Sequence, residues 1–325
     1  MIGSDISTAA KWLIEGEVVG IPTETVYGLA GNALNEESVL RIFEVKNRPH
    51  FDPLIVHVGS VEEIQKYVAV IPAKLVELAR MFMPGPLTLL LKKKDTIPDL
   101  VTSGSSRVAI RVPAHPMTRS LLGMLDFPIA APSANPFGYI SPTTAEHVEK
   151  QLGNKIPYIL DGGPCQVGLE STIVGMEDNQ VVIYRKGGLE VEKIEEVLHE
   201  KVFIRPHSSS KPDAPGMLTL HYAPTKKMVL ADDTFDWKQA SREADACFLR
   251  FTTYVPDLAK EKQKVLTPSG DMHEAARHLF RYMRELDESA CRIIYAELLP
   301  SEGLGHAMND RLTRASAADV NTDIA

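Results

Sequence analysis

Apolar positions along this chain recur at two spacings, and the spacing switches repeatedly. Between Asp5 and Glu15, the apolar residues Ile6, Ala9, Ala10, Leu13 and Ile14 fall at helical intervals, with Gly16 as a stop. Val18–Pro22 reads as a strand. Asn35 is placed to cap a helix carrying Val39, Ile42 and Phe43 on one face and running to Lys46. Leu54–Val58 is a short buried strand. Ser60 followed by Glu63 predicts a capping box before a third helix, and Ile71–Phe82 predicts a fourth. Leu87–Leu91, Val108–Val112 and Ile129–Ala131 read as strands, and Thr143 with Glu146 as a second capping box. Tyr158–Leu160, Ser171–Val174 and Val181–Tyr184 are further strands, followed by a helix over Val191–His199. Strands and helices alternate irregularly, and several strands lie close enough to pair as hairpins. The pattern predicts a mixed α/β sheet rather than a purely parallel one.

The texture changes at His207–Thr225, which reads H-S-S-S-K-P-D-A-P-G-M-L-T-L-H-Y-A-P-T. Serines and prolines without a period mark an interdomain linker, yet loops of this length often carry function. Met217, Leu218, Leu220 and Tyr222 are an odd apolar patch for a solvated tether. Beyond it, Met228–Ala231, Cys247–Phe251, Val265–Leu266 and Arg292–Leu298 read as strands. Helices are predicted near Trp237 and over Asp271–Leu286, the latter with Ala275, Leu279, Tyr282, Met283 and Leu286 on one face. The expected organisation is a first domain over 1–206, a linker or lid over 207–225 and a small α/β domain over 226–325.

Composition narrows the class. The chain has 325 residues, 44% of them hydrophobic, and a formal net charge of −8. That balance argues against a general nucleic-acid coat protein. Cys165, Cys247 and Cys291 are widely spaced and form no C-x-x-C, so no zinc site or disulfide framework is suggested, and three buried free thiols are expected. No basic stretch followed by an apolar one opens the chain, and no apolar run reaches membrane-spanning length. A cytoplasmic location is the expectation.

Candidate chemistry follows from where polar residues interrupt the apolar pattern. The run I-P-T-E-T-V-Y-G-L-A, Ile21–Ala30, has the wrong glycine spacing for a Walker loop or a dinucleotide fingerprint. Basic residues recur at strand ends and beside proline: Lys46 and Arg48 in K-N-R-P, Arg107 and Arg111 in S-R-V-A-I-R, Arg185 in Y-R-K-G-G. Arg107 and Arg111 are four apart in a strand and so share a face. An arginine fork there suits a carboxylate or phosphate. Small polar loops in P-S-A-N-P, around Ser141, and in G-L-E-S-T offer hydroxyls and backbone N–H groups to an anion. His57 is a lone strand histidine, and neither a metal-binding histidine pattern nor G-x-S-x-G occurs.

Six segments then occur in order: P-T-E-T-V-Y-G-L, K-N-R-P followed by D-P-L-I-V-H, P-G-P-L-T-L-L-L, S-R-V-A-I-R-V-P-A-H-P, A-A-P-S-A-N, and G-L-E-S-T-I-V. Together they closely resemble the YrdC-like threonylcarbamoyl-AMP synthases over Val18–Gly188. H-Y-A-P and G-L-G-H-A-M-N-D-R-L-T-R-A look like the long form with a C-terminal domain. The resemblance implies an open twisted mixed sheet with helices and a concave cavity, plus a small Rossmann-like α/β domain. It implies a nucleotidyltransferase making threonylcarbamoyl-AMP and pyrophosphate from L-threonine, bicarbonate and ATP. The product would pass to a transferase that modifies the tRNA adenosine just 3′ of the anticodon.

Carried over by motif, Thr23, His57, Arg111, Ala131 and Ser171 would hold L-threonine. Lys46, Arg48, His50, Arg107, Ser133, Ser141, Arg185 and Tyr222 would face ATP, with Lys46 and Arg48 nearest the chemistry and Tyr222 covering the nucleotide from the linker. Mg²⁺ is expected on the phosphates. No stable nucleic-acid or membrane partner is expected. A rival reading is a non-catalytic RNA-binding module using a concave basic face, against which stand the acidic charge and the lack of an aromatic RNA motif. A third reading is another carbamoyl-adenylate enzyme, such as the related domain of hydrogenase-maturation carbamoyltransferases, whose acylphosphatase and zinc-finger segments call for a length and cysteines that this chain does not have.

Overall fold

The structure, a computed structural model, describes residues 1–206, 214–217, 221–232 and 234–317. Leu218 and Leu220 of the apolar patch, and 207–213 of the linker, lie outside the described residues. The chain forms two compact units. The first is Met1–Phe137 with Ser141–Leu218; the second is Gly138–Ile140 with Thr219–Ala325.

The first unit is built on an eleven-stranded sheet among the described residues. From edge to edge it runs Ile2–Gly3, Ile159–Leu160, Val19–Ile21, Gly28–Asn32, Ile129–Ala130, Ile55–His57, Arg107–Arg111, Leu87–Lys92, Thr172–Glu177, Gln180–Arg185 and Phe203–Ile204. Ile55–His57 lies parallel to Arg107–Arg111, whereas Leu87–Lys92 is antiparallel to it, so the sheet is mixed as predicted.

Alternation along the central strands decides what each face carries. Val56, Leu87, Leu89, Leu91, Val108, Ile110, Val174, Val181 and Ile183 belong to the large core. Ile55, Leu90, Ala109, Ile173, Val182 and Tyr184 form a smaller apolar cluster on the opposite face. By the same parity His57, Thr88, Arg107 and Arg111 stand on that second face. A bulge between Ile183 and Arg185 pairs Arg185 with Ile173, which brings Arg185 to it as well.

The helices are capped largely as their sequences predict. Asp5 caps Ile6–Ile14, and Asn35 caps Glu36–Lys46. Ser60 Oγ accepts from Glu63 N at 3.4 Å, and Glu63 Oε2 accepts from Gly59 N at 3.0 Å. The second predicted box is corrected by one residue. Thr144, not Thr143, caps Ala145–Leu152 by accepting from His147 N, and the His147 ring Nδ1 accepts from Thr143 N at 3.2 Å. The strand Gly28–Asn32 carries no apolar alternation. It forms because it is buried between Val19–Ile21 and Ile129–Ala130, and a side chain at Gly31 would crowd Ser38 Oγ of the overlying helix, 2.8 Å from a Cβ there.

Among the described residues the second unit has four parallel strands in the order Lys227–Ala231, Ile293–Glu297, Ala246–Arg250 and Gln263–Val265. Helix Met272–Asp287 is capped by Asp271 and buries Ala275, Ala276, Leu279, Phe280 and Met283; Tyr282 is only half-buried and stacks on His278. Two of the expected free thiols are corrected: Cys247 and Cys291 are disulfide-bonded, while Cys165 is free and buried. Parallel pairing of Cys247 with Ile294 brings the Cα atoms of the two cysteines within 5.8 Å across 44 residues of sequence. No helix among the described residues is long and apolar enough to cross a membrane.

Replacing Thr144 by alanine removes a cap worth about 1 kcal/mol, so amide exchange across helix Ala145–Leu152 is expected to quicken about fivefold. Exchange left unchanged there would show that Thr144 is not the cap.

Candidate active site

The run Pro22–Gly28 is the pivot of the polar face. It connects two paired strands and is itself buried. Its backbone is fastened from outside: Val167 N donates to Glu24 O at 2.7 Å, Gly168 N to Thr25 O at 3.1 Å, and Tyr27 N to Pro142 O at 2.9 Å. The loops around Ser133, Ser141 and Ser171 are thus gathered about one segment.

Arg111 points into this segment. Its Nη1 donates to Thr25 Oγ1 at 3.1 Å, and its Nη2 pairs with Glu24 Oε1. Glu24 Oε2 accepts from Ala114 N at 2.9 Å. The hydroxyls form an ordered relay. Thr23 Oγ1 donates to Val26 O at 2.6 Å, so the 2.7 Å contact between the two threonines has Thr25 as donor. Thr25 can then accept from Arg111. Thr23, a predicted threonine contact, here acts as the end of that relay and also accepts from Thr25 N and Val26 N.

His57 is the direct strand partner of Arg111. Its Nδ1 lies 3.1 Å from Ile55 O. A carbonyl only accepts, so Nδ1 carries the proton and Nε2 is an acceptor. Burial, followed by the charge of Arg111, pushes the imidazole down to about 3. Ala131, also buried, donates its N–H to Ile55 O at 3.0 Å in the same neighbourhood. The Cys165 thiol is pushed up by burial and then by Glu24, which keeps it protonated.

Arg185 and Ser171 form a second group. Arg185 Nε and Nη2 donate to Ser171 O at 3.1 and 2.9 Å, Nη2 also to Ser171 Oγ at 3.1 Å, and Nη1 to Pro215 O at 3.2 Å. Ser171 Oγ is 2.7 Å from Thr88 Oγ1. Gly187 has to be glycine here, because a Cβ would overlap the backbone of Glu170 and Ser171. Ser141 Oγ donates to Glu170 Oε1 at 2.5 Å.

Lys46 and Arg48 form a third group at the end of helix Glu36–Lys46, where Asn47 turns left-handed. Lys46, only 1% exposed, donates from Nζ to Ser133 O and Asn135 O, both at 2.5 Å. Its pKa is lowered well below the ordinary lysine value, by burial foremost and then by Arg48. Arg48 Nη2 sits 2.8 Å from Asp52 Oδ2, and its Nε donates to Asp52 O at 3.0 Å. Burial raises the Asp52 carboxyl, while Arg48, Lys46 and Arg185 hold it down.

Two predicted residues of the first unit, Arg107 and His50, stand apart from these groups. Arg107 lies at the far end of its strand, about 13 Å from Arg111 along the chain, bonded to Tyr184 Oη at 2.6 Å and near Glu177. His50 is exposed, its ring against Phe43. Tyr222 is buried in the second unit, stacked on Phe280 and flanked by the guanidinium groups of Arg311 and Arg314. Glu24, Thr25, Asp52 and Glu170 are partners the sequence reading did not assign. Only Asp52 had a local signal, four residues after Arg48.

The chain is similar to known proteins along nearly its whole length. A family model of the Sua5, YciO and YrdC proteins, described as "Telomere recombination", matches residues 11–187. A second, "Threonylcarbamoyl-AMP synthase, C-terminal domain", matches 189–317. The threonylcarbamoyl-AMP synthase of Pyrococcus abyssi is 38% identical over 96% of this chain and 94% of its own length. That of Bacillus subtilis is 37% identical over 97% and 94%. The crystal structure of P. abyssi Sua5 complexed with L-threonine superposes with a TM-score of 0.88, covering 96% of this chain and 94% of that one.

A buried neutral imidazole has a pH signature. The unfolded histidine titrates near 6.5, whereas folded His57 stays neutral down to about 3. Between those values the unfolded chain binds a proton that the folded chain refuses, so this contribution is complete above 6.5 and shrinks as pH falls. Going from about pH 7.5 to about pH 5.5 is expected to cost the wild type about 1 kcal/mol more than His57→Gln, read from urea midpoints. Equal acid sensitivity of the two proteins would sink the assignment.

Proposed function

The chain belongs to the Sua5–YciO–YrdC family of threonylcarbamoyl-AMP synthases, and we propose that its first unit is the nucleotidyltransferase that joins L-threonine, bicarbonate and ATP into threonylcarbamoyl-AMP and pyrophosphate. The observation that carries this reading is the composition of the polar face. Four cations, Lys46, Arg48, Arg111 and Arg185, are buried together with hydroxyls and one neutral imidazole, and every substrate of this reaction is anionic or zwitterionic. An RNA-binding face would display such cations rather than enclose them.

The chemistry suits that lining. The threonine amine adds to carbon dioxide derived from bicarbonate, and the resulting N-carboxylate attacks the α-phosphorus of ATP as pyrophosphate leaves. Two anions must meet, so the protein's task is to neutralise charge and fix geometry. Arg111 takes the threonine carboxylate, and neutral His57 offers Nε2 as an acceptor without adding a positive charge. Lys46, Arg48 and Arg185, with Ser133, Ser141 and Ser171 beside them, take the phosphates. Magnesium enters with ATP as the MgATP substrate, held mainly by the phosphates. The product is an activated carbamoyl adenylate, which a tRNA threonylcarbamoyl transferase consumes.

Pyrophosphate release from MgATP should require both L-threonine and bicarbonate, with L-serine a poorer substrate. Lys46→Ala is expected to abolish release, and Arg111→Ala to raise the threonine KM by about tenfold or more with a smaller effect on the ATP KM. Release that proceeds without threonine, or an unchanged threonine KM in Arg111→Ala, would overturn the reading.

A further inference from the structure

The ion pair between Arg111 and Glu24 leaves two complementary groups unused, side by side. A guanidinium presents five N–H donors. Arg111 spends Nη1 on Thr25 Oγ1, and Nη2 on Glu24 Oε1 and, at 3.4 Å, on Gly85 O. Its Nε–H is enclosed and has no acceptor. Nε shares one edge of the planar fork with Nη2, so the open donor adjoins the Glu24 contact. Glu24 accepts one bond at each oxygen, from Arg111 and from Ala114 N. A carboxylate has about four acceptor sites, so Glu24 keeps capacity beside that donor. Both residues are almost wholly enclosed, at 3% and 5% exposure. A buried donor without a partner costs about 1–3 kcal/mol, a cost that a ligand can relieve.

The pairing also changes what this end of the polar face attracts. A lone buried arginine would draw any anion, including bicarbonate and the phosphates of ATP. With Glu24 against it, the local charge is near zero, and a simple carboxylate gains little. A ligand carrying a carboxylate and an ammonium on one carbon gains at both ends: its carboxylate accepts from Arg111 Nε, and its ammonium donates to Glu24. We propose that Glu24 is a specificity-determining residue, the acceptor for the α-ammonium group of the substrate, and that with Arg111 it forms a clamp for an amino-acid head group that rejects plain carboxylates. The proposal rests on the reading that this end of the polar face takes L-threonine.

Calorimetric titration of the full chain with three ligands tests it. These are L-threonine, 3-hydroxybutanoate, which lacks only the ammonium group, and threonine methyl ester, which lacks the carboxylate charge. The wild type is expected to prefer threonine to each by about tenfold or more. Glu24→Gln keeps the shape and the acceptor for Ala114 N but removes the charge. In it, threonine and its ester should weaken about tenfold, and 3-hydroxybutanoate should bind no worse than before, so that the preference for the ammonium collapses. Equal weakening of all three ligands would make Glu24 a structural support only and overturn the proposal. Wild-type protein binding 3-hydroxybutanoate as tightly as threonine would overturn it without any variant. Wild-type protein binding neither threonine nor its analogues would instead remove the reading on which the proposal rests.

Discussion

A guanidinium buried inside a mixed sheet is the constraint around which the first unit is organised. Desolvating a charge of that kind costs several kcal/mol unless it is paired and its donors are bonded. Arg111 meets the constraint with Glu24, Thr25 and Gly85 O, and these partners are what fix the Pro22–Gly28 run in place. The run cannot relax outward without leaving an uncompensated charge inside. The backbone bonds from Val167, Gly168 and to Pro142 then draw the other polar loops to the same place. One ion pair therefore positions loops separated by well over a hundred residues.

The central strands were legible from their alternation. In Val108–Val112 and Leu54–Val58 the odd and even residues belong to different faces, and the arginine spacing already placed Arg107 and Arg111 together. The structure keeps them on one face but gives them separate surroundings, because a four-residue step along a strand carries them about 13 Å apart. Sharing a face does not imply sharing a site. The ordered motifs located the polar loops but not their partners: Glu24 and Arg111 are 87 residues apart, and only the sheet brings them together. The same reason hid the bond between Cys247 and Cys291, which depends on strand register. The strand Gly28–Asn32 was invisible for a different reason. Its Gly31 answers to the close packing of the helix above, and small residues leave no periodic apolar trace.

The different ways in which Lys46 and Arg111 are held give the polar face two chemistries. Lys46 is bound by the carbonyl oxygens of Ser133 and Asn135, which take two of its three donors without cancelling its charge. Burial makes that charge costly, and an incoming anion lowers the cost, so this end of the face gains most from a polyanion such as a triphosphate. Arg111 is held by a carboxylate, so its field is largely spent, and what remains there is a donor and an acceptor with fixed directions. That end gains most from a ligand whose own charges are separated in the same sense. Under the proposed function, a single run of threonine, glutamate and threonine keeps an amino-acid head group and a nucleotide from competing for the same cations, as a reaction between the two requires.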